Sequence, residues 1–182
     1  GGMEAAAGWH VMASGSYRDV AGPDLYYPEY DGPATNDGVF ANGDGDRAGR
    51  AFLCVEHGAL TLHAAHARRD KHVPTAAWGT VFNNPDTRAR DERSYVDLAY
   101  ELPTGAEAQL HLRGYYDYYG YAGWYMFDAT EDGGPPQQVV NRDTADGRWF
   151  GLEARWTGSV HPRHRLVIGS ELRDNLKCEQ RN

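Results

Sequence analysis

The clearest pattern in the chain is an alternation of apolar and polar side chains between residues 108 and 118. A period of two is typical of a β-strand that has one apolar face. The polar face carries charged, amide or hydroxyl groups, at Gln109, His111, Arg113, Tyr115 and Asp117. The other face carries aliphatic, glycine and tyrosine residues, at Ala108, Leu110, Leu112, Gly114, Tyr116 and Tyr118. This strand is therefore predicted to lie in a sheet that separates an apolar environment from water.

Six further stretches alternate in the same way, and together they predict an all-β fold, an antiparallel up-and-down meander of about seven long strands. The predicted strands span residues 9–18, 47–56, 59–69, 93–102, 108–118, 147–157 and 164–175. Short turns join the second strand to the third, the fourth to the fifth and the sixth to the seventh. Long segments at 19–46, 70–92 and 119–146 make the other connections. In a meander, the short turns then share one edge of the sheet and the long loops share the opposite edge.

Three features favour a transmembrane β-barrel over other all-β folds. Outer-membrane barrels combine short periplasmic turns with long extracellular loops, and strands of roughly 10 residues suit a tilted crossing of the bilayer. Large aromatic residues also lie near both strand ends on the predicted apolar face: Trp9, Tyr100 and Trp156 near the short turns, and Tyr17, Tyr116, Tyr118 and Phe150 near the long loops. Two belts of aromatic residues, one near each end of the strands, are typical of proteins that cross a membrane, where the rings lie at the two lipid–water interfaces. Residues 1–182 are therefore predicted to form a single segment of a barrel.

The composition of the chain limits the class of protein and the kinds of binding partner that it can have. The chain is 41% hydrophobic with a net charge of -8 and a mean hydropathy of -0.69, which a barrel permits because only alternate residues face lipid. No run approaches the roughly 20 apolar residues of a membrane helix, so a helical membrane protein is excluded. The acidic balance argues against nucleic acid as a partner. Cys54 and Cys178 lie far apart, without the spacing of a disulfide framework or a metal site.

Several phrases of the sequence resemble the barrel of TonB-dependent outer-membrane receptors. They are DLYYPEYD at 24–31, RDKHVPTAAWGTVFNNPDT at 69–87, DERSYVDLAYE at 91–101, VNRD at 140–143 and HRLVIGSELRDN at 164–175. The resemblance implies a barrel of about 22 strands that has an N-terminal plug and takes up ferric siderophores, cobalamin or another scarce nutrient with energy relayed from TonB. The sequence has about seven predicted strands and no recognisable plug or TonB box. It is therefore expected to be an internal fragment of such a barrel, with two unpaired edges.

The resemblance also implies the location and partners of the parent protein. The location is the outer membrane of a Gram-negative bacterium, and the partners are outer-membrane lipid, a ferric siderophore or similar small ligand, and the TonB complex reached through the plug. No cofactor and no catalytic activity are expected. Ligand contact is predicted in the long loops, where aromatic rings supply stacking surfaces and a basic side chain could attract an anionic chelate. The candidate residues are Tyr26, Tyr27, Tyr30, Arg69, Trp78, Tyr121, Trp124 and Tyr125. The alternative is that these rings only pack the loops together.

Two other functions are consistent with parts of the pattern. A soluble β-sandwich that binds carbohydrate through aromatic loops would also alternate. A glycan-cleaving enzyme would need two facing carboxylates, and Glu153 and Glu171 lie on the polar faces of adjacent predicted strands. Their alternation with Arg155, Arg165 and Arg173 favours a cross-strand charge ladder instead. A metal site at His63 and His66 is disfavoured, because residues three apart on a strand point to opposite faces.

Overall fold

The computed structural model describes residues 2–5 and 8–182, and one large antiparallel β-sheet dominates it. The strands are β1 (Gly2–Ala5), β2 (Trp9–Val20), β3 (Leu25–Tyr26), β4 (Val39–Phe40), β5 (Asp46–His57), β6 (Leu60–His72), β7 (Arg88–Gly105), β8 (Ala108–Asp128), β9 (Gln138–His161) and β10 (His164–Arg181). Short 3₁₀ segments span Pro28–Tyr30, Pro33–Gly38 and Ala77–Gly79. None of the helical segments in the described ranges is long and apolar enough to cross a membrane.

The large sheet follows the chain order. Its strands are arranged β1-β2-β5-β6-β7-β8-β9-β10, and every neighbouring pair is antiparallel. The short strands β3 and β4 pair only with each other, inside the connection between β2 and β5. The predicted all-β up-and-down meander of seven long strands is confirmed, with β1 as an additional short strand. Within residues 2–5 and 8–182, β1 pairs only with β2 and β10 only with β9, so the sheet is open.

The cross-strand register shows which residues share a face, because direct partners point to the same side of a sheet. Val11 pairs with Val55, and the same row continues through Leu62, Leu98, Gly114, Leu152 and Leu172. The rows on either side are also apolar except at His57, Ser170 and Asp174. We call this surface the apolar band: Trp9, Val11, Ala13, Leu53, Val55, Leu60, Leu62, Ala64, Val96, Leu98, Tyr100, Leu102, Leu110, Leu112, Gly114, Tyr116, Phe150, Leu152, Ala154, Trp156, Leu166, Ile168 and Leu172. We call the opposite side of the sheet the polar face.

The apolar band is open to its surroundings. Leu152 is 54% exposed, and Ile168 and Leu172 are each 60% exposed. Among the residues whose burial is described, the buried apolar side chains are only Phe40, Ala48, Ala76 and Tyr125. Residues 8–182 therefore form no core against which the band could pack.

Every long strand extends beyond its predicted bounds, and β7, β8, β9 and β10 extend the furthest. The predicted loop at 119–146 is wrong, because β8 runs to Asp128, β9 begins at Gln138 and only residues 129–137 connect them. Beyond Tyr118 both faces of β8 carry aromatic or small residues, such as Tyr119 and Gly120, so the apolar-polar contrast disappears although pairing continues. Similarly, β7 continues through the predicted turn at 103–105, and the turn lies at 106–107.

The greater length of β8 corrects the location of three candidate residues. Tyr121, Trp124 and Tyr125 lie on β8, and their predicted placement in a loop is therefore wrong. Arg69, the last residue of the predicted strand 59–69, lies within β6. Backbone hydrogen bonding to β7 and β9 holds the first three, and pairing with β5 and β7 holds the fourth. Whether they contact a ligand stays a prediction.

Candidate functional site

Phe82 joins two of the long loops. They lie at the edge of the sheet opposite the two-residue turns, which we call the upper edge. Its ring stacks on Tyr30 at a centroid distance of 4.3 Å and meets Tyr27 and Phe40 edge-on at 5.9 and 5.6 Å. Phe40 is only 2% exposed. Tyr27 and Tyr30 therefore pack the 21–45 loop against the 73–87 loop, which is the alternative that the sequence left open. Phe82 itself was not among the predicted residues, although it stands with Val81 as an apolar pair in a polar loop.

Tyr26 differs from its neighbours because it remains 58% exposed. Its hydroxyl donates a hydrogen bond to the carboxylate of Asp31 at 3.1 Å, and this bond raises the pKa of the phenol. The ring rests beside Gly38, whose φ of +73° and close approach to the Tyr26 ring leave no room for a side chain. Tyr26 thus presents one aromatic face to the surroundings from a fixed position.

Tyr121 and Tyr125 form a second aromatic cluster, on the polar face near the upper end of β8. Their hydroxyl groups hydrogen-bond to each other. The Trp78 ring meets Tyr125 edge-on at 5.4 Å. Tyr125 is 8% exposed and Trp78 is 73% exposed, so the indole is the accessible surface of the cluster. Burial and the Tyr125 hydroxyl raise the pKa of Tyr121 well above its ordinary value, and the pair therefore offers neutral hydroxyl groups and stacking surfaces.

Trp124 lies on the opposite face from Tyr121 and Tyr125. Its direct partners are Arg88 on β7 and Arg142 on β9. The guanidinium carbons of Arg88, Arg90 and Arg142 lie 5.1, 5.3 and 5.8 Å from the centroid of the indole. The structure therefore does not bring Trp124 together with the other predicted aromatic residues, because adjacent residues on a strand point to opposite sides.

Arg69 belongs to an ion-pair group rather than to an open basic patch. It contacts Asp46 through two nitrogens, Nε at 3.0 Å and a terminal nitrogen at 2.6 Å, and Arg18 contacts the same carboxylate. Hydrogen bonding from Arg69 lowers the pKa of Asp46. The neighbouring cations Arg68 and Lys71 pair with Asp70 and Asp44. The three neighbouring cations Arg68, Arg69 and Lys71 therefore each have an acidic partner, and their attraction for an anionic chelate is reduced.

The middle of the polar face carries compensated charge. Arg113 Nε donates to Asp97 at 2.7 Å and a terminal nitrogen of the same residue lies 3.4 Å from Glu153. Glu153 and Glu171 are direct cross-strand partners, and the Tyr115 hydroxyl donates to Glu171 at 2.8 Å. The ion-pair partner of Glu153 is thus Arg113, whereas the sequence pointed to Arg155, Arg165 and Arg173.

Metal binding has no arrangement to support it in the described ranges. No group of three His, Cys, Asp or Glu side chains there could hold an ion. His63 pairs with Cys54 and Asp97 on the polar face, whereas His66 lies on the other face and bonds to Ser94. The predicted separation of these two histidines is confirmed.

Comparison with known proteins identifies no relative: no family model, no curated protein and no solved structure matches the chain.

Proposed function

We propose that this chain is a section of the barrel wall of a TonB-dependent outer-membrane receptor, whose parent protein takes up a ferric siderophore or a similar scarce nutrient. The observation that carries the proposal is the apolar band, a continuous exposed surface on one face of long antiparallel strands. Soluble monomers rarely expose contiguous apolar patches larger than a few hundred Å². Lipid contact gives such a surface a stable environment.

The band has the distribution that a lipid-facing wall requires. It crosses all seven long strands of the sheet, while the polar face of the same strands carries ion pairs such as Arg113 with Asp97. In a transmembrane barrel the outward residues contact lipid and the inward residues contact water. The polar face then corresponds to the wall of the lumen.

The connections and edges support a fragment of a larger barrel. β5–β6, β7–β8 and β9–β10 are joined by two-residue turns, at 58–59, 106–107 and 162–163, and the longer connections lie at the opposite edge. An open edge cannot remain in contact with lipid, because its backbone groups would lack hydrogen-bond partners. Further strands from the parent protein would satisfy the outer edges of β1 and β10.

A carbohydrate-binding β-sandwich requires a second sheet over the apolar face. In the described part of the chain, the only other sheet is the pair β3 and β4, with two residues in each strand. Such a sheet cannot cover seven long strands, and we therefore favour the barrel wall.

The ligand would contact the polar face near the long loops. Trp78, Tyr121 and Tyr125 provide an accessible indole and neutral hydroxyl groups there. Aromatic faces and hydroxyl donors suit a small polar ligand that has planar parts. We assign Trp78, which is supported by Tyr121 and the buried Tyr125, to the ligand-facing surface ahead of Tyr27 and Tyr30, which are engaged in loop packing.

The test places one charge on each face of β8. Leu112→Arg adds a cation to the apolar band, and Gln109→Arg adds the same cation to the polar face. We expect Leu112→Arg to lower the free energy of unfolding from phospholipid vesicles by about 2–4 kcal/mol. We expect Gln109→Arg to change it by no more than ~0.5 kcal/mol. Both are measured by urea titration of the vesicle-inserted chain, and equal effects of the two variants would refute the proposal.

A further inference from the structure

Trp78 and Tyr125 form two walls of a corner at the upper end of β8. Their ring planes meet at 87°, with centroids 5.4 Å apart. The hydroxyl group of Tyr121 bonds to that of Tyr125 from the same strand, so the tyrosine wall is braced from within the sheet. We call these three residues the aromatic corner. Tyr119, which is 37% exposed, continues the row of rings along the same face of β8.

The backbone that carries Trp78 is strained. Thr75 and Trp78 have φ values of +81° and +58°, a region that β-branched and bulky residues rarely adopt. The Val81 amide donates to the carbonyl of Met126 at 2.7 Å, which ties this loop to the end of β8. Backbone strain of this kind clusters at ligand-binding positions. Here it holds an indole that is 73% exposed, so the aromatic corner is open to a ligand.

Two carboxylates lie beside the aromatic corner on the polar face. Asp91 on β7 is the direct partner of Tyr121, and Asp143 on β9 lies diagonally across from it. Burial raises the pKa of Tyr121 most, and the two carboxylates raise it further because their charge reaches its hydroxyl group. Asp91 accepts a hydrogen bond from Tyr119 at 3.2 Å, and Asp143 accepts one from Asn141 at 3.1 Å. Within residues 2–5 and 8–182, neither carboxylate forms an ion pair.

The cations that neighbour these two carboxylates lie on the other face or bond elsewhere. Arg90 and Arg142 each precede one of the carboxylates in the sequence, so their side chains lie on the opposite face of the sheet. Arg69 and Arg93 share the polar face with Asp91, but each forms its ion pair with a different carboxylate. The aromatic corner therefore adjoins two negative charges that lack an ionic partner in the described part of the chain.

We propose that the aromatic corner binds a small organic cation, namely an alkylammonium group of the ligand that the parent receptor takes up. The inference rests on the proposed barrel wall, in which the polar face lines the path of that ligand. Aromatic faces attract a cation through their quadrupole, and the two carboxylates add Coulomb attraction. An inorganic ion fits less well, because no set of three His, Cys, Asp or Glu ligands exists in the described ranges. The methyl groups of an alkylammonium, in contrast, gain from contact with the rings.

The first experiment compares two probes that have the same shape and differ in charge. Choline carries a quaternary ammonium, and its uncharged analogue dimethylbutanol has carbon in place of the nitrogen. Binding to the unmodified chain in dodecyl maltoside micelles is measured by saturation-transfer NMR, with empty micelles as the blank. We expect choline to bind about tenfold more tightly than its analogue. Equal affinities, or displacement of choline by an equal concentration of potassium ions, overturn the proposal.

The second experiment assigns the charge preference to the two carboxylates. Asp91→Asn with Asp143→Asn removes two negative charges beside the aromatic corner, and Glu56→Gln with Glu101→Gln removes two exposed ones from the polar face near the two-residue turns. We expect the first pair to weaken choline binding about tenfold. We expect the second pair to weaken it less than about twofold, because salt screens charges at that distance. Equal losses would show that only net charge matters and would overturn the proposal.

The third experiment tests the rings. Trp78→Leu keeps an apolar side chain but removes the quadrupole, and we expect it to weaken choline binding about fivefold while changing the affinity for dimethylbutanol little. Trp149→Leu, on the same face but outside the aromatic corner, should leave both affinities unchanged. Equal losses for the two probes on Trp78→Leu would show apolar contact alone and refute the proposal.

The failure of this inference is distinguishable from the failure of the barrel wall. If Leu112→Arg and Gln109→Arg differ as expected but choline and dimethylbutanol bind alike, the cation site is refuted and the barrel wall stands. If the probes differ but the two β8 variants do not, the barrel wall is refuted and the cation site remains on the polar face.

Discussion

Asp46 shows how a single carboxylate can organise the upper edge of the sheet. It is 6% exposed, yet it lies on an edge where most charged side chains contact water. Arg69 bonds to both of its oxygens and Arg18 reaches it from β2, so three strands are linked through one side chain. Because a buried charge is costly unless it is paired and hydrogen-bonded, we infer that this group forms as a unit.

The pH dependence of stability tests this unit. The Arg69 hydrogen bonds lower the pKa of Asp46 in the folded chain, so its contribution to stability is complete above the ordinary Asp pKa of about 3.9 and is lost as the pH falls through the folded value. Asp46→Asn should lower the free energy of unfolding by about 1–3 kcal/mol at neutral pH. The difference from the unmodified chain should shrink below about pH 4, as measured by urea titration across pH.

Asp132→Asn serves as the control for Asp46→Asn. Asp132 is an exposed residue of the 129–137 connection. We expect the free energy of unfolding of Asp132→Asn to stay within ~0.5 kcal/mol of that of the unmodified chain at each pH. A constant difference between Asp46→Asn and the unmodified chain over the acidic range would show that the carboxylate has no special contribution.

At the scale of elements, the connections at the upper edge are packed rather than loose. The 21–45 loop contains its own strand pair, and the Tyr27 amide donates to the carbonyl of Gly38 at 2.8 Å. The Ala41 amide donates to the Asn83 side chain at 2.9 Å. Together with the ring of Phe82, these bonds tie two loops into one body. A ligand would then meet preformed surfaces at this edge.

Phe82→Ala should loosen the packing between the two loops without unfolding the sheet. Removing a half-buried ring that three other rings contact should lower the local opening free energy by about 2 kcal/mol. Hydrogen exchange should show lost protection at the Tyr27 amide and unchanged protection in the middle of β8 and β9. Trp78→Ala, which removes a 73% exposed ring, should leave the Tyr27 amide protected. Equal effects of the two variants would contradict the packing that we describe.

At the scale of the whole molecule, residues 2–5 and 8–182 form one large sheet whose outer strands, β1 and β10, each have one unpaired edge. The apolar band on one face and the backbone groups at both edges lack partners within the described ranges. Exposed edges and large apolar surfaces each promote association in water. The molecule therefore resembles a section of wall more than a self-contained domain.

This predicts how the isolated chain behaves in solution. Diluted from urea into plain buffer, it should form high-mass assemblies, and in detergent micelles it should disperse, because detergent covers the apolar band. Sedimentation velocity with and without detergent measures both states. A monomer in plain buffer that unfolds cooperatively would contradict the membrane environment and would favour a soluble fold.

Alternation predicted the strands well where the two faces differ in chemistry. From Ala108 to Tyr118 the contrast is strong, and β8 begins at the predicted residue. From Tyr119 to Asp128 the contrast is lost, and the strand was missed. This part of β8 is a strand because it forms backbone hydrogen bonds with β7 and β9. A local sequence pattern does not contain information about such distant partners. The sequence also did not separate Trp124 from Tyr125, which are adjacent and point to opposite faces once they lie on a strand. Ligand contact by either residue stays a prediction.

The sequence by itself determined the all-β class, the meander and the face that each mid-strand residue occupies, because a period of two acts locally along the chain. Only the tertiary structure decided the lengths of β7, β8 and β9, the packing of Tyr27 and Tyr30 around Phe82, and the pairing of Arg69 with Asp46. These features depend on residues far apart in sequence, such as Tyr30 with Phe82. Cross-strand register brings them together, and register is set by the pairing of whole strands rather than by any one segment.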